Sequence, residues 1–306
     1  MSQCKQTVII NRTDIDKASP MELKTLIDQP GKLPTIPKVG QELIASFSSD
    51  DVSIDYIARK LSADPALSAK LLRLANSAFF HVSRTIGTVD AALQMLGFVM
   101  VRNLVIGNSV ATAFKNTPGM DLKQFWRYNL YTACSARWLA QRAAVNTDMV
   151  FTLGLMHAIG QLQMHVVMPK EVAPLDQQMS VLDPARSALE RQTFGFHYGD
   201  VSAELAQIWN FPPPMIDALR QIAQPAPGAQ LSHTAGWVHM GAWRASMEVR
   251  DAPASVALAT YPQAVAHDLG LSDAWLGPLS VQPSDDVTAW MPPPAELSDG
   301  LESMFE

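Results

Sequence analysis

Gly154-Leu-Met-His-Ala-Ile-Gly160 is the stretch on which the reading of this chain turns. It carries one imidazole, His157, and follows it with Ala158, which has no donor atom. Leu153, His157 and Met164 recur at helical spacing and fall on nearly one face of a single helix. That spacing predicts a hydrogen-bonded core or pocket histidine at 157. His165, further along, is expected on the helix surface.

Upstream, residues 121–143 (DLKQFWRYNLYTACSARWLAQRA) read as one long helix. Trp126, Leu130, Cys134 and Trp138 form a stripe at four-residue steps, with Phe125, Asn129 and Ala133 in the adjacent row. No Lys or Arg falls within the stripe itself, so it reads as core packing and not as a base-stacking platform. Earlier still, Ser53 precedes a helix through Ile54, Ile57 and Leu61. Asp64-Pro65 opens the next, because Asp caps well and Pro at the first position lacks only an N–H that needs no partner there. Leu67, Leu71 and Leu74 line its face. Thr88 caps another helix, Gly97 interrupts, and Asn116–Gly119 is a loop. Few period-two strands occur, which predicts an all-α bundle without short repeats.

The chain has 306 residues, 48% hydrophobic and 17% charged, with a net charge of -6. Its mean hydropathy is +0.04. Those values suit a globular protein with a sizeable core. The sequence shows no run expected to cross a bilayer and no secretory signal. Two cysteines, Cys4 and Cys134, give neither a disulfide framework nor a Cys-rich zinc site, so a reducing cytoplasm is expected. The acidic balance lacks the basic footprint of nucleic-acid binding. No phosphate-cradling glycine loop occurs.

Six ordered segments carry a family resemblance. They are 33–44 (LPTIPKVGQELI), 63–80 (ADPALSAKLLRLANSAFF), 85–105 (TIGTVDAALQMLGFVMVRNLV), 125–140 (FWRYNLYTACSARWLA), 151–162 (FTLGLMHAIGQL) and 194–219 (FGFHYGDVSAELAQIWNFPPPMIDAL). Together, over about Leu33 to Pro225, the chain resembles the HDOD family, the HD-related output domains of bacterial signalling. The resemblance implies an N-terminal helical subdomain over 15–116 packed on an HD-like helical half over 120–245. An extension over 1–14 precedes them. The segment 246–306 follows, partly helical around 261–276, with a Pro-rich tail expected to be extended.

Enzymes of the HD type hydrolyse phosphate esters with divalent metals, held by an early His, a His-Asp pair and a distal Asp. The metal acidifies bound water and stabilises phosphoryl oxygens. Here the resemblance places Tyr128, followed by Asn129, at the early His position. Ala158 replaces the Asp of the pair, Gln161 a frequent Lys, and Ile222-Ala223 a late His pair. His157 and His197 remain. His197 is expected to cap or bridge helices, and Asn76-Ser77 to hold a helix end. His233 and His239, six apart, face different ways.

No catalytic residue, metal ligand or cofactor is therefore expected. The resemblance implies a non-catalytic signalling module acting on an unidentified protein partner, with no nucleic acid or membrane. Two alternatives remain open. One is a residual metal-dependent phosphohydrolase drawing on His157, His197 and Asp200. The other is a sensor of a nucleotide-like ligand in a vestigial pocket of Tyr128, Asn129, His157 and His197. Lys60, Lys70, Arg73 and Arg84 read as a solvated helix face or as a docking surface for an acidic partner. The seam between the two halves is the natural place for coupling.

Overall fold

The computed structural model describes residues 22–48, 53–77, 80, 85–141, 143–226, 228, 230–271 and 291–305. The 1–14 extension, Cys4, Ala78-Phe79, Arg84 and the 272–276 end of the expected C-terminal helix lie outside the described residues.

All regular structure among the described residues is helical. The first half holds α1 (Leu23–Ile27), α2 (Lys38–Ala45), α3 (Ile54–Ser62), α4 (Pro65–Ala75), α5 (Val89–Leu96) and α6 (Phe98–Ala113). Next come α7 (Leu122–Ala140), α8 (Thr147–Met156), α9 (Ile159–Val167), α10 (Pro169–Gln178), α11 (Arg186–Phe194) and α12 (Tyr198–Ile208). The order closes with α13 (Pro213–Ile222), α14 (His233–Val249), α15 (Ala254–Thr260), α16 (Gln263–Asp268), a short helix Pro294–Leu297 and a 3-10 turn Glu302–Met304.

The caps work as their residue types demand. Ser53, Asp64, Thr88 and Asp121 each accept from the backbone N–H three residues on. Gly97 ends α5 at φ 81°, where a side chain would be strained. Asn76 holds the end of α4: its Nδ2 donates to the carbonyls of Leu72 and Ile86, and its Oδ1 accepts from Ile86 N–H.

α7 is the axis of the molecule. Thirteen of its 19 residues are buried, as befits a helix covered on most sides. α14 and α8 lie against it, α12 packs on α9 and α13, and α6 joins the first half to α8. One apolar cluster runs from Leu26 to Met304 across both halves.

The opening heptapeptide is not one helix. Its two glycines allow two close crossings. A Cβ on Gly154 would come within 2.5 Å of Ala133 Cα on α7, and one on Gly160 would strike the Tyr198 carbonyl on α12. Between them the helix breaks at His157-Ala158 because Ser202 enters its ladder. Ser202 Oγ accepts from Gly160 N–H at 2.9 Å, and its hydroxyl lies 2.9 Å from the carbonyls of both His157 and Tyr198. Leu153, His157 and Met164 are nonetheless all buried. Residues Thr147–Val167 taken together are long and apolar enough to cross a bilayer, contrary to the sequence expectation. They are 94% buried within the bundle, the position of a core helix pair.

Two further expectations are corrected. His165 is not on the surface: it is 1% exposed, because α10 covers it and Asp176 takes its Nε2 at 3.0 Å. The tail is not extended over 291–305. The helix Pro294–Leu297 packs on α7, and the Glu302–Met304 turn packs on α4 and α6. Lys70 and Arg73 are thereby occupied, donating to the carbonyls of Met304 (3.0 Å) and Ser303 (2.6 Å).

Candidate functional site

A cavity of about 320 Å3 opens between α7, α12, α14 and the approaches to α11 and α16. Tyr128, Tyr198, His239, Trp243 and Asp183 contribute its polar and aromatic lining, and Ile222 and Ala223 part of its apolar wall.

Tyr128 reaches it from α7, where residues 125 and 129 flank it on the buried face. Behind the cavity wall, the Tyr128 hydroxyl donates to His157 Nε2 at 3.2 Å, and the rings meet edge to face at 5.2 Å. His157 Nδ1–H donates to the Gly154 carbonyl at 2.8 Å. Both ring nitrogens are used, so the ring is a neutral strut. Burial pushes its pKa down to about 4 and pushes the Tyr128 phenol far up.

The other expected pocket residues fall elsewhere. Asn129 does not line the cavity: it is fully buried beside it, with Nδ2 donating to Phe125 O at 2.9 Å. His157 touches the cavity only through Tyr128. His197 stands at the N-cap of α12, where its Nδ1 accepts from Gly199 and Asp200 N–H at 3.1 and 3.3 Å. Asp200 closes the capping box by accepting from His197 N–H at 2.9 Å and from Arg191 at 3.0 Å. Desolvation lowers the His197 pKa, opposed by Asp200. Helix capping is thus the structural work of both His197 and Asp200.

His239 is the imidazole that the sequence reasoning underrated. It lines the cavity from α14, and its Nδ1–H donates to Ile222 O at 2.8 Å. The Nε2 is left with a lone pair, and burial lowers the ring's pKa. Tyr198 and Trp243 were also missed, because their place depends on helix packing and not on any local motif. His233, on the same helix, is exposed.

A second group lies behind the broken helix. Glu190, fully buried on α11, accepts from Gln161 Nε2 (2.6 Å), Arg186 Nε (2.9 Å) and Tyr198 N–H (2.8 Å). Arg186, also fully buried, donates further to Asp176 (2.7 Å) and the Met179 carbonyl (2.7 Å). Gln161, at the frequent Lys position, is an internal strut.

The metal that the HD resemblance implies does not fit these residues. Tyr128 and His157 satisfy each other, Ala158 has no donor and is 2% exposed, and Asp200 is committed to a cap and an arginine. Among the described residues no three of His, Cys, Asp and Glu gather as a ligand set.

The comparisons agree with this architecture. The HDOD domain family matches residues 33–225, more than half of the chain. This chain belongs to the HDOD family, a signalling-type family with an HD phosphohydrolase-like fold. A protein of Shewanella amazonensis SB2B, provisionally named a phosphohydrolase, superposes with a TM-score of 0.69 at 26% identity, covering 92% of this chain and 96% of that one. An HDOD domain protein of unknown function from Geobacter sulfurreducens gives 0.63 at 23% identity, over 85% and 94%. A protein of Marinobacter aquaeolei VT8, provisionally named a signal transduction protein, gives 0.70 at 21% identity, over 96% and 64%. An uncharacterised protein of Treponema pallidum (strain Nichols) is 25% identical over 199 residues, 64% of this chain. The match spans 38% of that relative's length.

Proposed function

We propose that this protein is a non-catalytic regulatory module of the HDOD family, acting in the cytoplasm through contacts with a signalling protein. The observation that carries the reading is the Tyr128–His157 hydrogen bond beside Ala158. Where an HD enzyme gathers metal ligands, this chain places a phenol, a neutral imidazole used at both nitrogens, and a methyl group. Hydrolysis of a phosphate ester needs a metal-bound water or another activated nucleophile, and this donor set supplies neither. We divide the chain functionally as its sequence suggests, into 15–116 and 120–245, with signalling at their shared face.

The test is metal loading. The purified protein, incubated with manganese, iron, zinc or magnesium and desalted, is expected to retain substoichiometric metal and to leave bis(p-nitrophenyl) phosphate intact. Stoichiometric metal that disappears in His157→Ala, together with hydrolysis, would overturn the reading. A small-ligand sensor is the second reading. It draws support from the retained cavity and the free Nε2 of His239.

A further inference from the structure

A larger cavity, about 550 Å3, lies on the other side of α7, where α4, α6, α7 and the C-terminal turn meet. None of the degenerate HD positions lines it. Its size falls within the range of small-molecule sites.

Its chemistry is two-sided. The floor is apolar: Trp126 and Leu130 are buried, and Phe305 stacks on Trp126 at 5.8 Å and 10°. The rim is cationic. Lys115, Lys123 and Arg127 are exposed there, and none makes an ion pair among the described residues. Lys70 adds a fourth cation, with its ammonium 3.0 Å from Asn108 Oδ1 and from the Met304 carbonyl. Glu302 is the one carboxylate of the lining among the described residues, and it accepts from Ser298 Oγ at 2.8 Å.

This concentration of positive charge runs against the net charge of the whole chain, which is -6. Lys123 and Arg127 sit one helical turn apart, the spacing at which like charges repel. An anion bound there relieves the repulsion, and Arg suits phosphate by its planar fork of donors.

We propose that this cavity binds an organic phosphate of nucleotide size. The phosphate lies against Lys115, Lys123 and Arg127, and the apolar body against Leu130 and the Trp126–Phe305 pair. The wall formed by Glu302 and Phe305 belongs to the C-terminal turn, which is tied down through Lys70 and Arg73. The site is complete only while that turn is docked, so ligand and turn stabilise each other. The proposal is independent of the function proposed above.

Calorimetric titration of the full chain tests it, with purine and pyrimidine nucleoside mono- and triphosphates in one arm and lysophosphatidic acid in the other. Binding in one arm is expected and identifies the source of the phosphate. Lys123→Glu/Arg127→Glu is expected to weaken it by tenfold or more, about 1.4 kcal/mol. Both residues are exposed, so the variant's melting temperature should stay near that of the parent protein. Phe305→Ala is expected to weaken binding as well, and His239→Ala, in the other cavity, to leave it unchanged. Three results would overturn the proposal: no heat in either arm, binding indifferent to the charge reversal, or binding lost in His239→Ala alone. The last would move the ligand to the smaller cavity.

Discussion

Single side chains explain why the HD-like positions do not fit a metal. Ala158 is 2% exposed, against the Tyr128–His157 pair. Restoring the carboxylate of HD-type enzymes with Ala158→Asp would bury a charge with no partner. We expect it to lose about 3 kcal/mol in urea unfolding and to gain no zinc or manganese by titration. His157 predicts the acid behaviour. Its native pKa is about 4, against an ordinary 6.5. The unfolded ring therefore binds a proton that the native ring refuses. Stability is complete above pH 6.5 and falls as pH drops toward about 4. The loss from His157 across that window is on the order of 3 kcal/mol. His197 and His239 are shifted in the same direction. Urea midpoints measured across that window should fall with pH, and His157→Gln should flatten the slope.

The elements are joined by polar struts as much as by apolar faces. Arg186 and Glu190 lie on α11, yet their bonds reach Asp176 on α10, Gln161 on α9 and Tyr198 on α12. Arg186→Met leaves Glu190 buried and uncompensated, at a cost of about 3–5 kcal/mol. Arg186→Met/Glu190→Leu should be less unstable than Arg186→Met alone, which a double-mutant cycle in urea measures. The same elements mark the reach of sequence reading. Ser53, Asp64 and Thr88 were legible as caps because a cap and its N–H lie three residues apart. The break between α8 and α9 was not legible, because Ser202, 45 residues beyond His157, makes it.

Across the whole molecule, the C-terminal turn clasps both halves. Phe305 lies on Trp126 of α7, while Lys70 and Arg73 of α4 hold the carbonyls of Met304 and Ser303. The basic residues that read as a solvated face or a docking surface therefore include two that the chain's own end occupies. Phe305 is half-buried, so Phe305→Ala should cost about 1–2 kcal/mol. Hydrogen exchange should rise over 291–305 and over the part of α4 beneath it.

The sequence by itself determined the helical class, the HDOD membership and the missing carboxylate at position 158. Each of these is written in short-range spacing, in caps, or in the order of six segments. Only the tertiary structure decided what the surviving polar residues do. Tyr128 and His157 meet across 29 residues, and Lys70 and Met304 across 234. Asn129 turns away from the pocket and His239 turns into it, because helix packing sets which face each helix shows its neighbours. The physical reason is one of range: helix periodicity and caps are settled within a few residues, whereas a pocket is assembled by burying faces from distant parts of the chain.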